Sequence, residues 1–511
     1  MRSRGLYDAL KLIRAFLFTI KEVIQMKRSS LNILNLTIRD LSTAISSGDI
    51  SPLDLIEATL ERISRLNPEL NAFITVLEKS ARQDAKSAEL LIKQGKYKGP
   101  LHGIPVCLKD LIYMKGVRST SGSKILSDFV PDYDSTVVKK LKDAGAIIVG
   151  MNNTHEFACG ITNINPHYGS SKNPWDISRM SGGSSGGSAV AVSAGMAPVS
   201  IGTDTSGSIR VPSSFCGLFG LKPTYGRVSK YGVQELAPSI DHIGPIARSA
   251  WDIAAVLQTI SGYDELDSST VDIPVPNYIN VLSEKQEKED KRSDSFKVGI
   301  PVQFFFDIID SKVMNVFDKF LDKLHACGIS TEPVDVQKTD RIIDTWRAIR
   351  LGESAAVHKE WIESRRGDYG ENVIDMLERG MEITAVEYIK AHKMRKEIRT
   401  AFLEAMKDYD ALLVPTTIIS APKLDQTMVN INEKDAMEVY QALSRLTTVF
   451  DITGLPAMNV PAGFIEEEKK KLPIGVQLVG KPFNEEMLLR ISHNYDEHYR
   501  ISEEMVPSLY A

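Results

Sequence analysis

Gly182-Gly-Ser-Ser-Gly-Gly-Ser188 and, after a small-residue run, Gly202-Thr-Asp-Thr-Ser-Gly-Ser-Ile-Arg210 place two serine-bearing glycine loops close together in the chain. Between them, Ser188–Met196 reads as a small-residue helix that can lie tightly on a sheet. The N-terminus of that helix aims backbone N–H groups at the first loop. Upstream, Gly103-Ile-Pro-Val-Cys-Leu-Lys109-Asp110 carries one lysine at the end of an apolar, strand-like run. A serine alcohol is a weak nucleophile until a neighbouring base takes its proton. Two serines and a desolvated lysine are therefore the components of a hydrolase whose base is lysine.

On either side of these loops, Pro105–Leu108, Ala146–Val149, Phe296–Pro301, Ala411–Val414, Ala457–Val460 and Ile474–Val479 have the character of short buried strands. Apolar residues at helical spacing mark 38–66, with Ser51-Pro52 opening a second helix, and further helices fall at 81–94 and 135–144. Residues 351–408 read as mostly helical. The alternation of strands and helices predicts an α/β fold with a largely buried sheet. Ser283–Asp294 is charged and polar throughout, with no apolar face, and reads as a solvated surface loop near 283–295.

The 511 residues exceed a usual single domain, and length alone would divide them into two or three. Apolar residues at 43% and charged residues at 25% are ordinary for a soluble protein. A net charge of −5 provides no basic face for a nucleic acid. Cys107, Cys159, Cys216 and Cys327 are widely spaced, against a disulfide framework or a zinc ribbon, and reduced thiols in the cytoplasm are expected. In the first 26 residues, the apolar stretch Ala15–Ile20 is too short to span a bilayer, and no Ala-x-Ala-like site follows. This segment is read as an extension outside the core, with Met26 as an alternative start and an interfacial helix as the other account.

The two glycine loops, together with Pro212-Ser-Ser-Phe-Cys-Gly-Leu-Phe-Gly-Leu-Lys-Pro-Thr224, resemble the signature of the amidase signature family. The likeness runs from about Leu34 to the end, through Asp410-Ala-Leu-Leu-Val-Pro-Thr-Thr417 and Leu472-Pro-Ile-Gly-Val-Gln-Leu-Val-Gly480. It implies a single large α/β/α domain over 27–511, with a mixed central sheet covered by helices. It also implies a catalytic triad in which Ser208 attacks, Ser184 beside a cis peptide bond relays the proton, and Lys109 is the base. Thr205, Ser206 and Gly207, with Ser208 itself, match the loop whose N–H groups form an oxyanion hole. The family usually has glycine where this chain has Ser206. Asp204 and Arg210 are expected to brace that loop.

A lysine in water, with pKa about 10.4, is protonated at neutral pH, so burial by Ile104, Val106 and Leu108 must lower it. The competing account pairs Lys109 with Asp110. His155-Glu-Phe-Ala-Cys159 imitates a zinc-protease helix but has cysteine where the second histidine is needed. Gly217-Leu-Phe-Gly-Leu-Lys222 lacks phosphate-loop spacing. Neither a metal nor another cofactor is expected.

The reading is an amidase hydrolysing a small carboxylic acid amide through an acyl-enzyme, with no direct nucleic-acid partner and a homodimer left open. The alternative within the family is the glutaminase component of a tRNA-dependent amidotransferase, its A chain, working with partner subunits. Against it stand Val211, where those chains typically have glutamine, and Ala237-Pro-Ser-Ile-Asp-His-Ile-Gly-Pro245, which is more like stand-alone amidases. A third reading is an inactive scaffold of the same fold.

Overall fold

The computed structural model describes residues 33–283, 296–432 and 435–508. The segment 1–26 and the charged run at 284–295 lie outside the described residues. Eleven strands form one sheet, labelled here in chain order. They are β1 (Phe73–Val76), β2 (Pro105–Lys109), β3 (Ile147–Asn152), β4 (Val199–Asp204), β5 (Phe219–Lys222), β6 (His242–Ala247), β7 (Lys297–Pro301), β8 (Ser330–Val334), β9 (Ala411–Pro415), β10 (Ala457–Glu467) and β11 (Lys470–Val479). Their order is β1-β3-β2-β4-β6-β5-β10-β11-β9-β7-β8, so strands from both halves of the chain share one sheet.

The sheet is mixed. β2 runs parallel to both β3 and β4, and β7 runs parallel to β8 and β9. The strands between them, from β4 through β6, β5, β10 and β11 to β9, pair antiparallel. Because β2 and β4 are parallel neighbours, Lys109 and Asp204 end their strands at the same edge. In open α/β sheets, the carboxyl ends of parallel strands are where ligand sites form.

Alternation along the strands divides the core by face. Val106 and Leu108 join one apolar cluster with Val199, Ile201 and the helix Ala250–Ile260, whereas Cys107 faces a second with Ile147 and Val149. That second cluster includes α1 (Gly186–Ser193), whose eight residues are all buried. On β9, Ala411 and Leu413 point to the first cluster, and Leu412 and Val414 to a third. The third cluster holds Trp346 and Ile349 of α3 (Ile342–Arg365), and α2 (Arg210–Cys216) contributes Val211 and Phe215. Helices thus cover both faces, as expected of an α/β/α fold.

The expected helices are present at Ile38–Ser46, Pro52–Leu70, Glu78–Lys93 and Thr136–Asp143. Ser51 caps the second by accepting from the amides of Leu53 and Asp54, with Pro52 in its first turn. Ser135 caps the fourth through Val138 N–H. No helix among the described residues is long and apolar enough to cross a membrane.

Five sheet strands, β1, β4, β5, β6 and β8, lay outside the sequence expectation. β5 contains Gly220, β6 contains Gly244 and Pro245, and β1 is only four residues long. Glycine and proline conceal a strand from propensity, yet all of β5 and β6 is buried, and packing decides. The region read as mostly helical resolves into α3, α4 (Glu371–Met381) and α5 (Ala385–Ala405). A capping box closes the start of α5, with Thr384 and Glu387 each bonded to the other's backbone amide.

α4 lies against α3 so closely that a Cβ on Gly380 would come within 2.3 Å of the Leu351 carbonyl oxygen. Gly380→Val should force these helices apart and destabilise the protein by about 1–3 kcal/mol, as overpacking does. Thermal unfolding followed by circular dichroism would check this, and an unchanged midpoint would contradict the close approach.

Candidate active site

Lys109 closes β2 fully buried, and its Nζ lies 2.7 Å from both Ser184 Oγ and Thr203 Oγ1. Burial depresses its pKa to about 7, although Asp204 and Asp241 partly restore the charge by attraction. Asp110 does not pair with it. The Asp110 carboxylate instead accepts from the amide and hydroxyl of Thr120, and burial pushes its pKa up to about 7. Asp110 lies in the turn that follows β2, where Thr120 takes its carboxyl.

Ser184 sits just before α1, and the Gly183–Ser184 peptide bond is cis. Its carbonyl oxygen accepts from Thr154 Oγ1 at 2.9 Å and from His155 N–H at 3.2 Å. Ser185 joins the two glycine loops. Its amide donates to the Ser208 carbonyl at 3.2 Å, and its hydroxyl donates to the Thr203 carbonyl at 3.1 Å. The structure thus brings Lys109, Ser184 and the Ser208 loop into one buried cluster. Among the described residues no hydrogen bond joins the Ser184 and Ser208 hydroxyls.

The Ser208 loop is organised by one carboxylate. Asp204 accepts from the amides of Gly207 at 2.6 Å, Ile209 at 3.0 Å and Arg210 at 3.4 Å, and from the Arg210 guanidinium at 2.9 and 3.0 Å. Burial opposes the Asp204 charge, but Arg210 overcomes this and holds the carboxyl well below its usual range. Arg210 also donates to Asp451, the Thr447 carbonyl and Gln477. Burial and neighbouring Asp204 push the Asp451 carboxyl well above its usual range, while Arg210 pulls it back.

Gly207 adopts φ 111°, and a Cβ there would lie 2.2 Å from Thr447 Oγ1, so the turn admits only glycine. Its amide is already donated to Asp204. The amides of Thr205, Ser206 and Ser208 carry no hydrogen bond among the described residues. Of the three residues matched to an oxyanion hole, Thr205 and Ser206 therefore keep a free N–H, whereas Gly207 does not. Thr205 Oγ1 donates to Asp241 at 2.6 Å. Ser206 is clamped by Trp346 Nε1, which donates to its hydroxyl at 3.1 Å, and by Thr447 Oγ1, which donates to its carbonyl at 2.6 Å.

Thr203, Ser185 and Trp346 are the residues that sequence reasoning missed. Thr203 and Ser185 lay inside the quoted motifs, but their neighbours gave no reason to single them out. Trp346 lies far along the chain and no local pattern points to it. The His155–Cys159 stretch has a structural use: Glu156, fully buried, accepts from Ser123, His167 and the Gly370 amide at the start of α4. Gly217–Lys222 ends in the sheet strand β5.

The profile of the Amidase family matches residues 54–489. The A chain of the glutamyl-tRNA(Gln) amidotransferase from Geobacter sp. strain M21 is 37% identical over 491 residues, covering 91% of this chain and 98% of that relative. The solved structure of an amidase superposes with a TM-score of 0.80 at 30% identity, covering 91% of this chain and all of the other. The corresponding amidotransferase chain from Thermotoga maritima gives 0.73 at 33% identity, covering 90% and 94%. With its buried lysine and twin serine loops at the sheet edge, and with these likenesses spanning nearly its whole length, the chain belongs to the amidase signature family.

Proposed function

We propose that the protein is a stand-alone amidase that hydrolyses a small carboxylic acid amide to acid and ammonia or amine through an acyl-enzyme. The observation that carries this reading is the buried Lys109 amine 2.7 Å from Ser184 Oγ, one peptide away from the backbone bond to the Ser208 loop. In this reading, Ser208 Oγ attacks the amide carbonyl while its proton passes through Ser184 to neutral Lys109. Thr203 accepts an N–H from Nζ and so turns the amine lone pair toward Ser184. The free amides of Thr205 and Ser206, with that of Ser208, receive the developing oxyanion, while Gly207 serves through its turn. Protonated Lys109 then returns a proton through Ser184 to the leaving nitrogen, and water activated by the same relay cleaves the ester. Residues 27–511 act as one amidase domain, and the four free cysteines suit a cytoplasmic setting.

A second reading is supported by the amidotransferase relatives, which match along nearly the whole chain. It makes this protein a glutaminase component that works with partner subunits. Assaying the purified chain alone on aliphatic, aromatic and amino-acid amides separates the two. Turnover without partners supports the amidase. Glutamine hydrolysis that appears only with a co-purifying partner supports the amidotransferase reading.

Ser208→Ala should lower turnover by roughly three orders of magnitude or more while retaining the fold, because the attacking oxygen is gone. Labelling by a fluorophosphonate probe should be lost with it. Substantial residual turnover would remove Ser208 from the role of nucleophile.

The pH dependence follows from Lys109. Its amine must be unprotonated to accept a proton, and its pKa is about 7. The rate should therefore fall about tenfold per pH unit below that value and level off above it. Lys109→Met keeps the length of the side chain but cannot accept a proton, so turnover and the limb should both vanish. A pH–rate profile of the two proteins on one amide provides the check, and a limb that persists in the variant would exclude Lys109 as the base.

A further inference from the structure

A chamber of about 460 Å³ is walled in part by Trp346, the residue that donates to Ser206, with Arg350, Met376, Tyr440, Cys159 and Ser444 among its other walls. Its size suits a small organic ligand, for which pockets of roughly 300–1,000 Å³ are usual. Arg350 is 2% exposed, yet it meets no carboxylate among the described residues. Its Nε has no hydrogen-bond partner among them either. Its guanidinium carbon lies 5.7 Å from the ring centroids of both Trp346 and Tyr440, and one nitrogen abuts Met376 Sδ.

Other deeply buried arginines have oxygen partners: Arg62 donates to the Ala194 carbonyl, and Arg248 to those of Val192, Leu34 and Leu36. Arg210 and Arg227 are as deeply buried, and each is matched by a carboxylate: Asp204 and Asp451 for the first, Glu485 for the second. A buried guanidinium without a counter-charge is costly, and aromatic faces compensate only in part. Asp375 and Glu438 stand at the mouth of the chamber but are exposed to water, as are Arg347 and Arg379. The buried charge belongs to Arg350.

Trp346 and Arg350 are four residues apart on α3, hence on one face and about 6 Å apart along the axis. Trp346 touches Ser206, two residues from Ser208, so Arg350 stands one helical turn further into the chamber. The acyl part of an amide must be held through both acylation and deacylation, whereas the amine must leave. A chamber with a buried anchor suits the acyl part.

We propose that Arg350 binds a carboxylate on the acyl chain of the substrate, so that the preferred substrates are monoamides of dicarboxylic acids. This rests on the amidase reading above. Hydrolysis of such a monoamide with one water releases the dicarboxylate and ammonia. The planar guanidinium offers paired donors to a carboxylate, and Trp346 and Tyr440 restrict its rotation.

The test compares succinamate, glutaramate and adipamate with neutral amides in which an isopropyl group replaces the carboxylate. For at least one chain length, wild-type kcat/KM should favour the anionic amide by roughly 10- to 100-fold, the usual worth of a charge-assisted contact. Arg350→Met should collapse that ratio, chiefly through KM, and Arg350→Lys should retain part of it. A wild-type ratio near one at every length, or an unchanged ratio in Arg350→Met, overturns the proposal. If no amide is turned over, the amidase reading fails on its own, and calorimetric titration of Ser208→Ala with succinate, glutarate and adipate decides about the chamber. Binding that disappears when Arg350→Met is added supports the anion site, and no binding of any dicarboxylate overturns it.

Discussion

One buried carboxylate holds this site together. Asp204 collects three backbone amides of the Ser208 loop and the Arg210 guanidinium, all out of contact with water. A buried ion pair contributes little net stability, but losing one partner leaves an uncompensated charge that costs several kcal/mol. The cluster therefore acts as a geometric constraint. Arg210 extends it to Asp451 and Gln477, so the loop carrying Ser208 is tied to the C-terminal half of the sheet. A cut between the halves would sever this network.

The same charges set the electrostatics around Lys109. Full burial favours the neutral amine, while Asp204 pulls the other way at longer range. Arg210 lies against the Asp204 carboxylate and meets much of its charge locally. The outcome is a lysine that changes protonation near neutrality, which a hydrolytic base requires. A free lysine–aspartate pair, as Asp110 would have formed, would have held the ammonium charged. Engagement of the Asp110 carboxyl by Thr120, in the turn after β2, replaces that pairing.

Around this common machinery, the chain has its own features. The Ser206 hydroxyl is used as an acceptor for Trp346. That contact docks α3 against the loop and aims the same face of the helix, including Arg350, into the chamber. The Gly370 amide bonded to Glu156 fixes the start of α4 in the same way. The chamber walls are thus attached to the reactive loops by hydrogen bonds, and not only by apolar packing.

The α/β class, most of the strands and helices, the family, and the candidate residues Lys109, Ser184 and Ser208 were legible from the chain alone. They are legible because apolar periodicity, helix caps and glycine-serine spacing are local properties. Strands β5 and β6 were hidden by Gly220, Gly244 and Pro245, where burial overrides local preference. Thr203 and Ser185 became meaningful only once parallel pairing of β2 and β4 set their edges side by side. The engagement of the Gly207 amide by Asp204, the failure of Asp110 to pair with Lys109, and the isolation of Arg350 arise from long-range packing. Each depends on which groups remain within hydrogen-bonding distance after the sheet and helices have packed, and distances between residues far apart in the chain are not written in any local pattern.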